Sequence, residues 1–120
     1  MKLQSYKELI VWQKSMDLVE LIYKLTTLLP REELYGLISQ MRRAVVSICS
    51  NIAEGYARRS HKEYLQFYSI SYGSALELET QVEIVKRLKL SPLDSLKSIE
   101  SLLNEVCRML YTMIYKEKHI

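Results

Sequence analysis

Arg42, Arg43, Arg58, Arg59 and Lys62 are the densest set of cations in the chain. Arg58, Arg59 and Lys62 flank a single turn between two helical patterns. Repeated around an assembly of identical subunits, such a set would make additive phosphate contacts; ordinary surface charge is the plainer reading. Tyr64, Tyr68 and Tyr72 recur at i, i+4 and i+8 beside the same turn. A ladder of that kind can stack on bases, although packing in a core or interface explains the spacing better. A second pattern is polar. Gln40, Arg43, Ser47, Asn51, Glu54 and Arg58 recur at steps of three and four, which places them in one stripe opposite an apolar face. A merely solvated face usually carries more Lys and Glu. Gln, Ser and Asn at this spacing suit helix contacts closed by hydrogen bonds, or a pore lining. Glu54 and Arg58 are spaced for an i,i+4 ion pair, worth a few tenths of a kcal/mol when exposed.

Groups for catalysis are sparse. His61 stands beside a helix start and His119 in the tail, and neither belongs to the Glu-x-x-His pair of a di-iron bundle. Cys49 and Cys107 lack zinc spacing, and nothing in the sequence marks either as an activated nucleophile. There is no Walker loop or Gly-rich phosphate cradle. Glu77, Glu79 and Glu83 read as a solvated face. They do not form the paired acids of helical nucleotide pyrophosphatases, and the arginine-to-histidine spacing of helical ribonuclease toxins is missing. With no constellation meeting the geometric roles of catalysis, the expectation is a non-enzyme with no catalytic residues, no metal and no cofactor.

The elements that must position these residues follow from length and periodicity. A chain of 120 residues that is 48% hydrophobic fits one domain with a sizeable core and needs no disulfide or metal to hold it. Two cysteines, no secretory pattern and no long apolar run make a reduced cytoplasmic protein with buried thiols the expectation, and no membrane contact. The net charge of +3 permits contact with nucleic acid without requiring it. The bias is local: residues 31–60 carry five Arg against three Glu, and residues 91–107 are net negative.

Only three Gly and two Pro interrupt the chain, and they fall near joints. The pattern predicts helices over about 6–29, 32–57, 61–89 and 92–116. The first is apolar over an arc wider than one seam needs, from Leu9, Val11 and Trp12 to Leu25 and Leu29, which hints at contacts beyond its own bundle. Pro30 stops this helix, and Arg31, Glu32 and Glu33 open the second with the acids near its positive end; its core face is Leu34, Leu37, Met41, Val45, Ile48 and Ile52. Ser60 with Glu63 reads as a capping box for the third. Its seam is Tyr64, Phe67, Ser71, Ala75, Leu78, Val82 and Val85. Gly73 inside it costs about 1 kcal/mol of helix propensity and is expected at a close helix approach. Ser91-Pro92 reads as an N-cap followed by Pro at the first helical position. Leu96, Ile99, Leu103, Val106, Leu110 and Met113 then point inward. Short loops between long helices predict an all-α fold, a single-domain antiparallel up-down four-helix bundle.

These residues also resemble a known family. Val11-Trp12-Gln13-Lys14 with Asp17-Leu18 and Ile22-Tyr23 looks like its first helix. Tyr35-Gly36-Leu37, Ser39-Gln40 and Arg42-Arg43-Ala44 look like its second. Most specific is Val46-Ser47-Ile48-Cys49-Ser50-Asn51-Ile52-Ala53-Glu54-Gly55, followed by Arg58, Ser60, Glu63, Phe67, Gly73-Ser74 and Glu77-Leu78-Glu79. This is similar to the four helix bundle protein family, bacterial proteins encoded in intervening sequences of large-subunit ribosomal RNA genes. The resemblance covers nearly the whole chain. It implies an antiparallel bundle that assembles with itself, as a pentamer in known members. It also implies kinship with the accessory variability-determinant protein of retroelements, a basic pentamer that binds nucleic acid and a reverse transcriptase. Gln40, Arg42, Arg43, Ser47, Asn51, Glu54 and Gly55 match the family signature, which assigns them no chemical role. Where the family commonly has Pro, this chain has Cys49, so its second helix is expected to run straighter.

Two functional readings follow. The first is a homo-oligomer that binds structured RNA or DNA through Arg42, Arg43, Arg58, Arg59 and Lys62. The second is a protein-binding scaffold, with helix 1 and the polar stripe as interfaces and no nucleic acid involved.

Overall fold

A computed structural model describes residues 5–116. Among them are four α-helices and no strand: α1 Ile10–Thr27, α2 Ser39–Tyr56, α3 His61–Arg87 and α4 Asp94–Tyr111. They form an antiparallel up-down bundle measuring 44 × 22 × 21 Å, in which each helix packs on its chain neighbours and α4 closes against α1. The expected all-α four-helix bundle is the fold observed.

The core is one seam per helix. Val11, Ser15, Leu18, Ile22 and Leu25 of α1 are buried at steps of three and four, as are Met41, Val45, Ile48 and Ile52 of α2. Ala75, Leu78, Val82 and Val85 meet Leu96, Ile99, Leu103, Val106 and Leu110 across the middle. The wide apolar arc of α1 divides. Its seam is buried, while Ile10, Met16, Tyr23 and Leu28 stay exposed.

Helix ends depart from expectation for local reasons. A 3₁₀ turn, Tyr6–Glu8, precedes α1 and is closed by a capping box between Ser5 and Glu8 that the sequence reading missed. Helix 2 does not begin at residue 32. A 3₁₀ turn over Arg31–Glu33 and a π turn over Leu34–Ile38 come first, because Gly36 sits off the helical region at φ −113°, ψ −106°. Leu34 is therefore exposed rather than core. Glu33 turns its carboxylate onto the Leu37 N–H, the favourable end for an acid. From Ser39 the helix runs unbroken through Cys49, so the irregularity lies at Gly36 and not at residue 49.

Ser60 caps α3 by accepting from the Glu63 N–H at 3.1 Å. The far end closes differently. Lys89 takes φ 54°, with Lys89 N–H donating to Lys86 O at 3.2 Å and Leu90 N–H to Val85 O at 3.0 Å. That is a Schellman ending with Lys at the position glycine usually fills. Ser91 does not cap α4. Its hydroxyl turns to the Pro92 carbonyl, Pro92 stands outside the helix, and α4 starts at Asp94. At the other end a π turn, Thr112–Lys116, adds one residue to the turn. The core position after Leu110 is Ile114, a step of four, and the expected Met113 is half-buried.

The two internal glycines exchange roles. Gly73 meets nothing within 4 Å of an added Cβ, so it marks no close approach. Gly55 does: a Cβ there would lie 2.8 Å from Tyr68 Cε1 and 3.1 Å from Phe67 Cβ. Tyr68 is buried and cannot swing away, which is why it, rather than the half-buried Tyr64 and Phe67, fills the start of the α3 seam. Gly73→Ala should therefore stabilise the fold by about 1 kcal/mol through helix propensity. Gly55→Ala should destabilise it by about 1–2 kcal/mol through overpacking. Urea unfolding midpoints of the two variants check this, and a gain at Gly55 would contradict the packing described.

Candidate nucleic-acid interface

The α2–α3 pair is held by small residues and by hydrogen bonds that need close backbones. Ser71, fully buried on α3, donates to the Ile48 carbonyl of α2 at 2.8 Å. One turn away the Ser47 and Ser74 hydroxyls meet at 2.8 Å. Asn51 then donates to the Ser47 carbonyl at 2.9 Å and its hydroxyl at 3.1 Å. The middle of the polar stripe is thus a hydrogen-bonded edge against α3. Its ends differ: Gln40, Arg43, Glu54 and Arg58 are exposed.

The cations separate into two groups. Arg42 and Arg43 lie near the start of α2, about four turns or 22 Å from Arg58 at 1.5 Å per residue. Arg42 is already engaged with α1. Its Nε donates to Thr26 Oγ1 at 2.8 Å, and its guanidinium lies 4.6 Å from the Tyr23 ring centre. Thr26 is buried and gives its own proton to the Ile22 carbonyl, so its oxygen is free to accept. Arg43 points outward. The second group surrounds the α2–α3 turn. Arg58 lies 4.5 Å over the Phe67 ring and 3.4 Å from Glu54, an exposed pair worth little by itself. Arg59 and Lys62 are exposed beside it. Among the described residues no carboxylate lies within 4.0 Å of Arg43, Arg59 or Lys62. The one acid of the turn is Glu63, whose N–H the Ser60 cap occupies.

The tyrosine ladder is not one surface. Tyr68 is core, with Tyr64 5.1 Å from it and His61 4.7 Å from Tyr64. Tyr72 faces α4 instead, 6.2 Å from Tyr111, which is itself 4.7 Å from Tyr115. Sequence reasoning missed this second aromatic group because Tyr72 on α3 and Tyr111 on α4 are distant along the chain and meet only on folding. His119 lies outside the described residues.

A family model for the 23S rRNA-intervening sequence protein matches residues 7–112. The chain belongs to this family. The chain is also similar in fold to a protein of unknown function from the S23 ribosomal protein family of Bacteroides thetaiotaomicron. The TM-score is 0.81 at 24% identity, over 88% of this chain and 99% of that one. A comparison with curated proteins found no match.

The remaining reactive groups are placed without activation. Both thiols are free and buried. Burial pushes Cys49 up, and burial followed by the neighbouring Glu79 carboxylate pushes Cys107 up to about 11. An activated nucleophile needs the opposite shift. Among the described residues no three His, Cys, Asp or Glu side chains group as metal ligands, and no helix is long and apolar enough to cross a membrane. Between pH 9 and 11 the unfolded chain has lost the Cys107 proton while the folded chain keeps it. The unfolded state then binds fewer protons, so stability should fall as pH rises through that window. Cys107→Ala should flatten that fall. Iodoacetamide at pH 8 should label native Cys107 far more slowly than denatured Cys107; equal rates would refute its burial.

Proposed function

We propose that this protein is a non-enzymatic, self-associating helical bundle that binds structured RNA or DNA through its α2–α3 turn, repeated around the assembly. The observation that carries this reading is Arg59 and Lys62, exposed and unneutralised among the described residues, beside an Arg58 braced on Phe67 and Glu54. Cations already in internal pairs contribute less to a phosphate surface, so these count for more than Arg42. Arg43 adds a separate cation farther along α2. Gly55 packs on Tyr68 and Ser60 caps α3 on either side of the turn, which anchors the backbone that carries these charges. Self-association, with five subunits, is what the resemblance implies; Ile10, Met16, Tyr23 and Leu28, exposed along and just after α1, are apolar side chains it can use.

The same apolar side chains favour the second reading, a protein-binding scaffold that needs no nucleic acid. Charge reversal separates the two. Arg59→Glu with Lys62→Glu should weaken binding of an RNA hairpin at least tenfold. It should also reduce the slope of log affinity against log salt by about two, since each neutralised phosphate contributes nearly one. Light scattering on size-exclusion peaks, with and without the hairpin at low and moderate salt, reads both mass and complex. A ring-sized mass indifferent to RNA selects the scaffold. A lone 14.1 kDa species removes the assembly.

A further inference from the structure

Tyr72, Tyr111 and Tyr115 line or border a groove of about 410 Å³ between α3 and α4. Tyr111 and Tyr115 are 47% and 45% exposed, so flat aromatic surface faces outward there. The groove has two chemically distinct ends. Lys116 stands with the tyrosines at one end, and Arg108, one turn before Tyr111, lines the groove next to them. The π turn that buries Ile114 holds Lys116 at this rim. Leu76 and Cys107 line the stretch between.

Glu79 and Asn104 lie toward the other end. The antiparallel register fixes this. Tyr72 meets Tyr111, and Lys86 pairs with Glu100 at 3.1 Å farther along. Two turns from the tyrosines, about 10 Å, Glu79 therefore falls opposite Asn104. Helical side chains lean toward their N-terminus, so Glu79 leans back toward Tyr72. Its charge helps raise Tyr72, after burial and the neighbouring Cys107, Tyr115 and Tyr111.

We infer that this groove binds an unstacked guanine of a single-stranded nucleic acid. The base lies against Tyr111, Glu79 and Asn104 meet its polar edge, and Arg108 and Lys116 hold the flanking phosphate. The inference rests on the nucleic-acid reading and assigns it a second, separate site. Apolar and aromatic walls suit a flat base face, and base–aromatic stacking is tolerant of sequence. The carboxylate supplies selectivity. An ionised acid can only accept hydrogen bonds. Guanine offers two adjacent donors on its Watson–Crick edge, whereas uracil offers one donor between two carbonyl oxygens that a carboxylate repels. The same acid keeps the phosphate away from its end and at the cationic rim.

The test uses fluorescein-labelled RNA heptamers UUUGUUU and UUUUUUU with the full chain, read by anisotropy. Wild type should bind the guanine heptamer about tenfold more tightly. Tyr111→Ala should weaken both by about tenfold, and Tyr111→Phe should restore both, since the ring and not the hydroxyl does the stacking. Glu79→Gln should abolish the preference for guanine and leave the uridine heptamer bound as before. Circular dichroism confirms that each variant is folded, as half-exposed positions allow. Equal binding of the two heptamers by wild type, or no effect of Tyr111→Ala, would overturn the inference. If wild type binds the hairpin but neither heptamer, the groove proposal alone fails. If it binds no RNA at all, the nucleic-acid reading fails with it.

Discussion

The contact on which the rest of the bundle depends is the close approach of α2 to α3. Gly55 has no side chain because Tyr68 and Phe67 occupy the space. Ser71 reaches the Ile48 carbonyl, and Ser47 reaches Ser74, over distances that larger residues would forbid. A buried serine without a partner would cost about 1–3 kcal/mol, so Ser71 both needs the close backbone and rewards it. The seam runs along α3, the longest helix among the described residues at 27 residues. It also leaves only a short turn between the two helices, from which Arg58, Arg59 and Lys62 project.

Much of this was legible in the residues. Steps of three and four located all four helices, and most of the core, because burial of one helical face leaves a periodic trace. The signals that failed were those whose meaning depends on a neighbour. Gly55 and Gly73 look alike in sequence; only the tyrosine opposite one of them distinguishes a packing glycine from an exposed one. Ser91-Pro92 has the right types for a helix start, yet the Ser91 hydroxyl bonds to Pro92 and the helix waits for Asp94. After Leu110 the seam steps four residues to Ile114 rather than three to Met113, a choice that the periodicity alone leaves open. The candidate site was half legible. Clustered Arg and Lys announce themselves along the chain, whereas Tyr72 and Tyr111 are brought together only by folding.

Position 49, where the resemblance implies proline in relatives, bears on where α2 can be irregular. With Cys49 there, the backbone N–H is present and α2 runs regular through the middle of the bundle. The break falls instead at Gly36, where the chain has just left Pro30 and has yet to reach the α3 seam. A break at that end leaves the Ser47–Ser74 and Ile48–Ser71 contacts undisturbed. A kink at residue 49 would fall among them. Regularity of α2 through Cys49 and tightness of the α2–α3 seam are thus two sides of one arrangement.

The seams that involve α4 are built differently. Lys14 joins Glu105 across α1 and α4 at 2.7 Å, and Lys86 joins Glu100 across α3 and α4 at 3.1 Å. These pairs are partly exposed and hold little energy. They span the seams from outside, where α2–α3 is closed from within by serines and glycine. Long side chains keep helices farther apart than small ones, and the space between α3 and α4 opens into grooves lined by Glu79, Leu103, Tyr72 and Asn104. A bundle of four equal seams would have a smooth surface and only its charge to bind with. Unequal seams give this one a tight edge that presents cations and a looser edge with depth, and depth is what recognition of a single base requires.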